Sequence, residues 1–267
     1  VPLWLKADVS QHRARKRFGQ NFLTDASIVR QIADRYQNTE QTIVEIGPGK
    51  GALTTALLDT GTAVIALELD RDLIPLLQRQ FGDRSNLHLQ QADALKFDWT
   101  ALSSHSPLHV VGNLPYNIAT PLIFNLLEHL PLITDMQFML QWEVVLRLCA
   151  QPGSKHYGQL SVVVQNLCET TALFEVPSSA FSPAPKVTSG VVQLIPRSKP
   201  LIDTALHIEF NHLVKSAFAQ RRKTLRNNLK GLLDSEQISA CGIDPGQRAE
   251  TLTIDAFKSL TEAFSRQ

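Results

Sequence analysis

Asn113-Leu114-Pro115-Tyr116 sets a carboxamide, a proline and an aromatic ring within four residues, a combination suited to activating a poorly nucleophilic amine. The exocyclic amine of adenine is such a group, because its lone pair is delocalised into the ring. An amide oxygen and a neighbouring backbone carbonyl, both accepting its protons, favour a tetrahedral nitrogen and localise the lone pair toward a methyl donor. Asn113 supplies the amide, Leu114 or Pro115 the carbonyl, and Tyr116 a ring on which the base can stack. No strong general base is demanded, since the nitrogen becomes acidic once methylated. His105 and His109, the nearest histidines, read as structural. The bland alternative is a turn, for which Asn-Leu-Pro is good loop chemistry.

A second loop bears on the donor. Val44-Glu45-Ile46-Gly47-Pro48-Gly49-Lys50-Gly51 lacks the Ser or Thr that follows Gly-Lys in a P-loop, and the third glycine of a dinucleotide fingerprint falls on Ala52. What remains is Glu-x-Gly-x-Gly-x-Gly, which resembles the loop of class I S-adenosylmethionine-dependent methyltransferases; the bland alternative is a tight strand-to-helix turn. Glu68, 21 residues after Gly47, can accept from both ribose hydroxyls, and Asp93 from an adenine amino group. Either acid alone reads as a surface residue; together they favour an adenosyl pocket.

These groups need a scaffold. Asp25 is a plausible cap for a helix through Tyr36. Thr42–Ile46, Ala63–Leu67, Leu87–Gln91, Leu108–Gly112 and Met136–Leu140 read as strands, with helices over Gly51–Asp59, Arg71–Phe81 and Thr120–His129. Such alternation predicts an α/β fold, a doubly wound, mainly parallel sheet in which both loops follow strand ends. Val187–Ile195 is β-rich, and Pro196-Arg197-Ser198-Lys199-Pro200 reads as a linker into a helical tail. The predicted division is a basic arm (1–17), a catalytic domain (18–200) and a small helical domain (201–267).

With 267 residues, 43% apolar and 19% charged, the chain has a globular composition. No apolar run approaches the ~18 residues of a membrane span. Cys149, Cys168 and Cys241 are too scattered for a disulfide framework or a Cys-x-x-Cys metal site, so no metal, no export signal and a reducing cytoplasmic setting are expected. The net charge of +1 is a cancellation. Residues 1–17 carry five bases and one acid, residues 215–230 six bases and no acid, and the remainder 15 bases against 24 acids. Blocks this dense suit phosphate contacts or a solvated helix face. Downstream of the strands, Phe181-Ser182-Pro183-Ala184-Pro185-Lys186-Val187 pairs an aromatic with two stiffening prolines; Phe181 reads as core, or as a second ring around an extruded base.

In this order the blocks resemble the small-subunit ribosomal RNA adenine dimethyltransferases of the KsgA type. The likeness runs from Arg15–Leu23 through Glu45–Thr54, Glu68-Leu69-Asp70, Asp93-Ala94 and Asn113–Pro121 to Phe181–Val192 and Phe218–Asn227. It implies transfer of four methyl groups from S-adenosyl-L-methionine to two adjacent adenosines in the 3′-terminal hairpin loop of small-subunit (16S) rRNA. The acceptor would be a late assembly intermediate of the small ribosomal subunit. A monomer is expected, though not from the resemblance.

By the family pattern, Asn21, Leu23, Gly47, Gly49, Glu68, Asp93 and Asn113 would hold the cofactor. Asn113, Leu114, Pro115 and Tyr116 would serve the target amine, with Phe181 stacking on the base. Arg15, Lys16, Arg17, Lys186, Arg221, Arg222, Lys223 and Arg226 would face RNA, those from Arg221 on a long helix. One departure is Gln141-Trp142-Glu143-Val144, where the family usually has Lys in place of Trp142. The competing readings are a macrolide-resistance methyltransferase of large-subunit rRNA and a non-catalytic assembly factor on the same fold.

Overall fold

The computed structural model describes residues 20–266. Phe22–Leu23 forms a two-residue strand, β1. Asp25 caps α1 (Ala26–Ala33), its carboxylate accepting from the Ser27 and Ile28 N–H groups, and a 3-10 turn continues to Tyr36. Strand and helix then alternate through β2 (Ile43–Ile46), α2 (Ala52–Asp59), β3 (Val64–Glu68), α3 (Ile74–Phe81) and β4 (Leu87–Gln91). β5 (Leu108–Asn113), α4 (Ala119–Leu127) and β6 (Ile133–Gln141) follow. The rest comprises α5 (Trp142–Leu148), α6 (Gln159–Leu167), β7 (Cys168–Val176), β8 (Phe181–Ser182), β9 (Ser189–Pro196), α7 (His207–Ala217), α8 (Leu225–Asn228), α9 (Ser235–Ala240) and α10 (Ile254–Ser265).

Seven strands form one sheet in the order β4-β3-β2-β5-β6-β9-β7. Strands β2 to β6 pair in parallel, and β9 runs antiparallel to β6. β2 and β3 are buried at every position, as expected of apolar strands covered on both faces. Val29, Ile32, Leu57, Leu77 and Phe81 from α1–α3 share one buried cluster with Ile43, Val111 and Met139 of the sheet. From β2 the chain builds outward through β3 and β4 on one side, then returns to place β5 on the other. A crevice therefore opens at the carboxyl ends of β2 and β5, where ligands of such sheets bind.

The chain divides into two compact units. One runs as far as Trp142 and includes Ala172–Ile195; the other is Glu143–Thr171 together with the chain from Pro196 onward. In the second unit, α7 and α10 pack together around Phe210, Leu213, Phe257 and Leu260. The Tyr157 hydroxyl donates to the Leu252 carbonyl at 2.9 Å. The linker expected at 196–200 lies where the chain enters this unit for the last time. Glu143–Thr171, expected within the first domain, groups with the second instead. Its apolar α6 has the composition of any buried α/β helix, and α5 follows β6 without an intervening loop.

The long basic helix expected over 220–227 is not formed. α7 stops at Ala217 and α8 begins at Leu225, with turns between them. Asn228 explains the stop, since its Nδ2 donates to the carbonyls of Ala217 (2.7 Å) and Gln220 (3.1 Å) in place of further helical bonds.

Candidate active site

The glycine-rich loop leaves β2 and reverses through Gly49, whose φ of +60° favours a residue without Cβ. The Gly49 N–H donates to Glu68 Oε2 at 3.0 Å, and the Asp70 N–H donates to Glu68 Oε1 at 2.7 Å. The carboxylate at the end of β3 thus fastens the loop to the neighbouring strand. Burial raises the Glu68 pKa, opposed by these two N–H groups and reinforced by the charge of Asp70. Below it Glu45 is only 2% exposed and accepts from Thr54 Oγ1 at 2.6 Å. Burial, with the charge of Glu68 adding to it, pushes the Glu45 carboxyl up to about 8, so it holds its proton at neutral pH.

Another wall comes from far away in sequence. β1 pairs antiparallel with β8, setting Phe22 opposite Ser182 and Leu23 opposite Phe181. The Thr24 N–H and hydroxyl both donate to the Ala180 carbonyl, at 2.8 and 3.0 Å. Gln20 Nε2 donates to Asp70 Oδ2 at 3.1 Å, and the Lys50 ammonium lies 5.0 Å from the centre of the Phe22 ring. The segment is therefore tied at three places, to residues 180–182, to Asp70 after β3 and to Lys50 of the glycine-rich loop.

Asn113 is the last residue of β5. Its Nδ2 donates to the Asn21 backbone carbonyl at 2.9 Å, which turns Oδ1 to the opposite side of the amide. Leu114 is buried and its N–H donates to the Met139 carbonyl at 3.1 Å, anchoring the loop that follows. The Pro115 carbonyl accepts from the Ile118 N–H at 3.0 Å, whereas the Leu114 carbonyl accepts no hydrogen bond among the described residues. Of the two carbonyls left open by the sequence, only that of Leu114 has both lone pairs unused among the described residues. The Tyr116 hydroxyl lies 2.8 Å from Ser189 Oγ.

These elements enclose a cleft of about 950 Å³, the open solvent at its mouth included. Asn21, Gly47, Gly49, Glu68, Asp93, Asn113, Leu114, Pro115 and Tyr116, each named from the sequence, all line it. Leu23 and Phe181 do not. The β1–β8 pairing turns both inward, to 6% and 5% exposure, beside Val29 and Ile32 of α1. Phe181 is therefore a core residue in this conformation rather than a ring on the cleft wall. His109, at the other end of β5, lies between Thr39 Oγ1 (3.0 Å) and Asp135 Oδ1 (2.6 Å), a structural position.

Lys186 is exposed in the loop before β9. In the second unit Arg222, Lys223 and Arg226 are exposed, but Arg221 is held by Glu250 Oε2 at 2.8 Å and by the Lys155 carbonyl at 2.5 Å. Arg15, Lys16 and Arg17 lie outside the described residues. Sequence reasoning did not single out Gln20, Leu69, Asp70 or Ile118, which also line the cleft. Leu69 carried a usable signal: a leucine between two acids at a strand end, here 47% exposed at the rim. Among the described residues no cluster of His, Cys, Asp and Glu could hold a metal, and no helix is long and apolar enough to cross a membrane.

The model of the ribosomal RNA adenine dimethylase family matches residues 11–266. Ribosomal RNA small subunit methyltransferase A of Pseudomonas putida is 52% identical over 260 residues, covering 96% of this chain and 97% of the relative. The protein of the same name from Saccharophagus degradans is 52% identical over 257 residues, 95% of each chain. Among solved structures, a dimethyladenosine transferase from Plasmodium falciparum aligns with a TM-score of 0.76 at 25% identity, over 92% of this chain and 98% of that one. The 23S rRNA methyltransferase ErmE shares the fold, with a TM-score of 0.75 at 24% identity over 92% of this chain and 100% of its own. The chain belongs to the ribosomal RNA adenine dimethylase family.

Proposed function

We propose that this protein transfers methyl groups from S-adenosylmethionine to the exocyclic amines of two adjacent adenosines in the 3′-terminal hairpin loop of small-subunit rRNA, within a late assembly intermediate. The family membership and the small-subunit name of its half-identical relatives support the reaction class. The observation that carries the chemistry is the orientation of Asn113, whose amide nitrogen is spent on the Asn21 carbonyl at 2.9 Å and whose oxygen is left to accept.

The cleft suits the cofactor. Glu68 and Asp93 present acceptors at the ends of adjacent strands, the rim offers the apolar Leu69 to a planar ring, and the space beyond Gly47 is open where a Cβ would intrude. When bound, S-adenosylmethionine supplies an electrophilic methyl group on a sulfonium. Glu68 would hold the ribose hydroxyls, Asp93 the adenine amine, and Asn21 and Gly47 the remainder of the molecule.

Asn113 Oδ1 and the Leu114 carbonyl accept the two protons of the target amine and localise its lone pair. The carbon–nitrogen bond would form as the methyl–sulfur bond breaks, the donor leaving as a neutral thioether, so the positive charge passes to that nitrogen, where the same two oxygens stabilise it. The methylated amine then releases a proton to solvent, so no basic side chain is required. Tyr116 stacks on the base and fixes its plane. Lys186, Arg222, Lys223 and Arg226, with Arg15, Lys16 and Arg17, contact phosphates.

Tritiated methyl transfer to immature small subunits, compared with protein-free large-subunit RNA, tests the reading. Incorporation into the small-subunit particle is expected. Incorporation into large-subunit RNA alone would select the reaction named for ErmE instead.

A further inference from the structure

Ser189 is not on the cleft wall, yet it is bonded to the ring that is. Its Oγ lies 2.8 Å from the Tyr116 hydroxyl, and the serine itself is 0% exposed. A phenol attached to the backbone through two rotatable bonds samples several rotamers unless its far end is fixed. Here the far end meets the first residue of β9, and that residue is held firmly. Ser189 pairs with Gln141 at the end of β6, and the carbonyl of Thr188, just before it, accepts from the Trp142 N–H at 3.0 Å. On the other side of Ser189, the Trp142 indole covers Gly190 so closely that a Cβ at that position would collide with Cε3 and Cζ3. The strand end carrying the serine is thus fixed by a ladder bond before it and an indole after it.

We propose that Ser189 is a positioning residue for methyl transfer, holding the Tyr116 ring as a preformed stacking surface for the target adenine, and that Trp142 secures this serine through Gly190. The proposal rests on the reading of the Asn113–Tyr116 loop as the acceptor site. It also gives Trp142, which replaces a lysine usual in the family, a role in packing rather than in charge. Loss of the tether leaves the ring in place but free to turn. Encounter with RNA, dominated by phosphate contacts elsewhere, is then little affected, whereas the fraction of bound adenines correctly stacked falls.

Steady-state methylation of immature small subunits by Ser189→Ala, Tyr116→Phe and the double variant tests this. Each single substitution should lower kcat by roughly tenfold, the effect of one hydrogen bond in a desolvated site. The KM for the particle and the calorimetric affinity for S-adenosylmethionine should stay within about twofold, and the double variant should be no slower than either single. Ser189→Thr, which keeps the hydroxyl, should recover most of the rate. Wild-type kcat in Ser189→Ala, or losses that multiply in the double variant, would overturn the tether. If Ser189→Ala fails to fold, Tyr116→Phe removes the same bond from the cleft side and an unchanged kcat there has the same force. A wild-type protein that methylates no small subunit would overturn the acceptor-site reading itself, an outcome distinct from an active enzyme that is indifferent to Ser189.

Discussion

The side-chain amide of Asn113 is oriented by the backbone carbonyl of Asn21, 92 residues earlier in the chain, through a 2.9 Å hydrogen bond. The segment that contributes Asn21 to the cleft wall therefore also decides which end of the Asn113 amide is left to accept, the end that the proposed reaction uses. Asn113→Ala should lower kcat by at least about 100-fold, the scale of removing one preorganised polar group. Asn113→Asp should be no better, because a carboxylate oxygen would then oppose the Asn21 carbonyl. RNA binding, followed by filter retention, should stay near the wild-type level in both.

Glu68 serves two partners in the free protein, the N–H groups of Gly49 and Asp70. Glu68→Ala should therefore weaken S-adenosylmethionine binding by tenfold or more, on the order of 1.4 kcal/mol, through loss of the ribose acceptor and loosening of the loop. Calorimetric titration measures it. Unaltered affinity would remove Glu68 from the cofactor site.

Glu45 keeps its proton in the folded state up to about 8, against 4.5 for the free group. Between those values the folded protein binds a proton that the unfolded chain has released, so stability falls as pH rises through the window and levels off above it. The raised pKa of Glu68 acts with the same sign. Glu45→Gln should shrink the drop in Tm between about pH 5 and about pH 9 relative to wild type, read by thermal unfolding followed with circular dichroism.

Gly190→Ala should destabilise the fold by roughly 1–3 kcal/mol, because the new methyl has no room beneath the Trp142 indole. Adding Trp142→Ala to that chain should recover part of the loss. Urea unfolding of the two variants gives the comparison.

The arginines and lysine of the turn after α7 differ in their surroundings. Arg222 and Lys223 are exposed, and neutralising both should weaken RNA binding and reduce the slope of log affinity against log salt by ~0.9 for each phosphate left without its cation. Arg221 is bonded to Glu250 and the Lys155 carbonyl, so Arg221→Ala should lower the unfolding temperature of the second unit. Equal salt slopes for wild type and the double variant would leave the turn without an RNA role.

Much of the cleft was legible because its groups sit at the ends of strands whose apolar runs are long enough to read. Glu68 and Asn113 end β3 and β5, and Gly47 and Asp93 lie just beyond β2 and β4. Less legible was anything decided by contacts distant in sequence. β1 has two residues, too few to show a period, and owes its conformation to Phe181 and Ser182. That same pairing draws Leu23 and Phe181 inward, against the roles their motifs suggested. The end of α7 depends on Asn228 reaching back eleven residues to Ala217, and no local signal announces such a bond. The packing of Trp142 likewise depends on a distant residue, the backbone of Gly190 beneath its indole.

Mass spectrometry of the 3′ fragment of small-subunit rRNA, after immature subunits are incubated with the protein and S-adenosylmethionine, tests the central claim most directly. Two adjacent adenosines should each gain two methyl groups with wild-type protein and none with Asn113→Ala. An unmodified fragment, or methylation that persists in Asn113→Ala, would contradict the account.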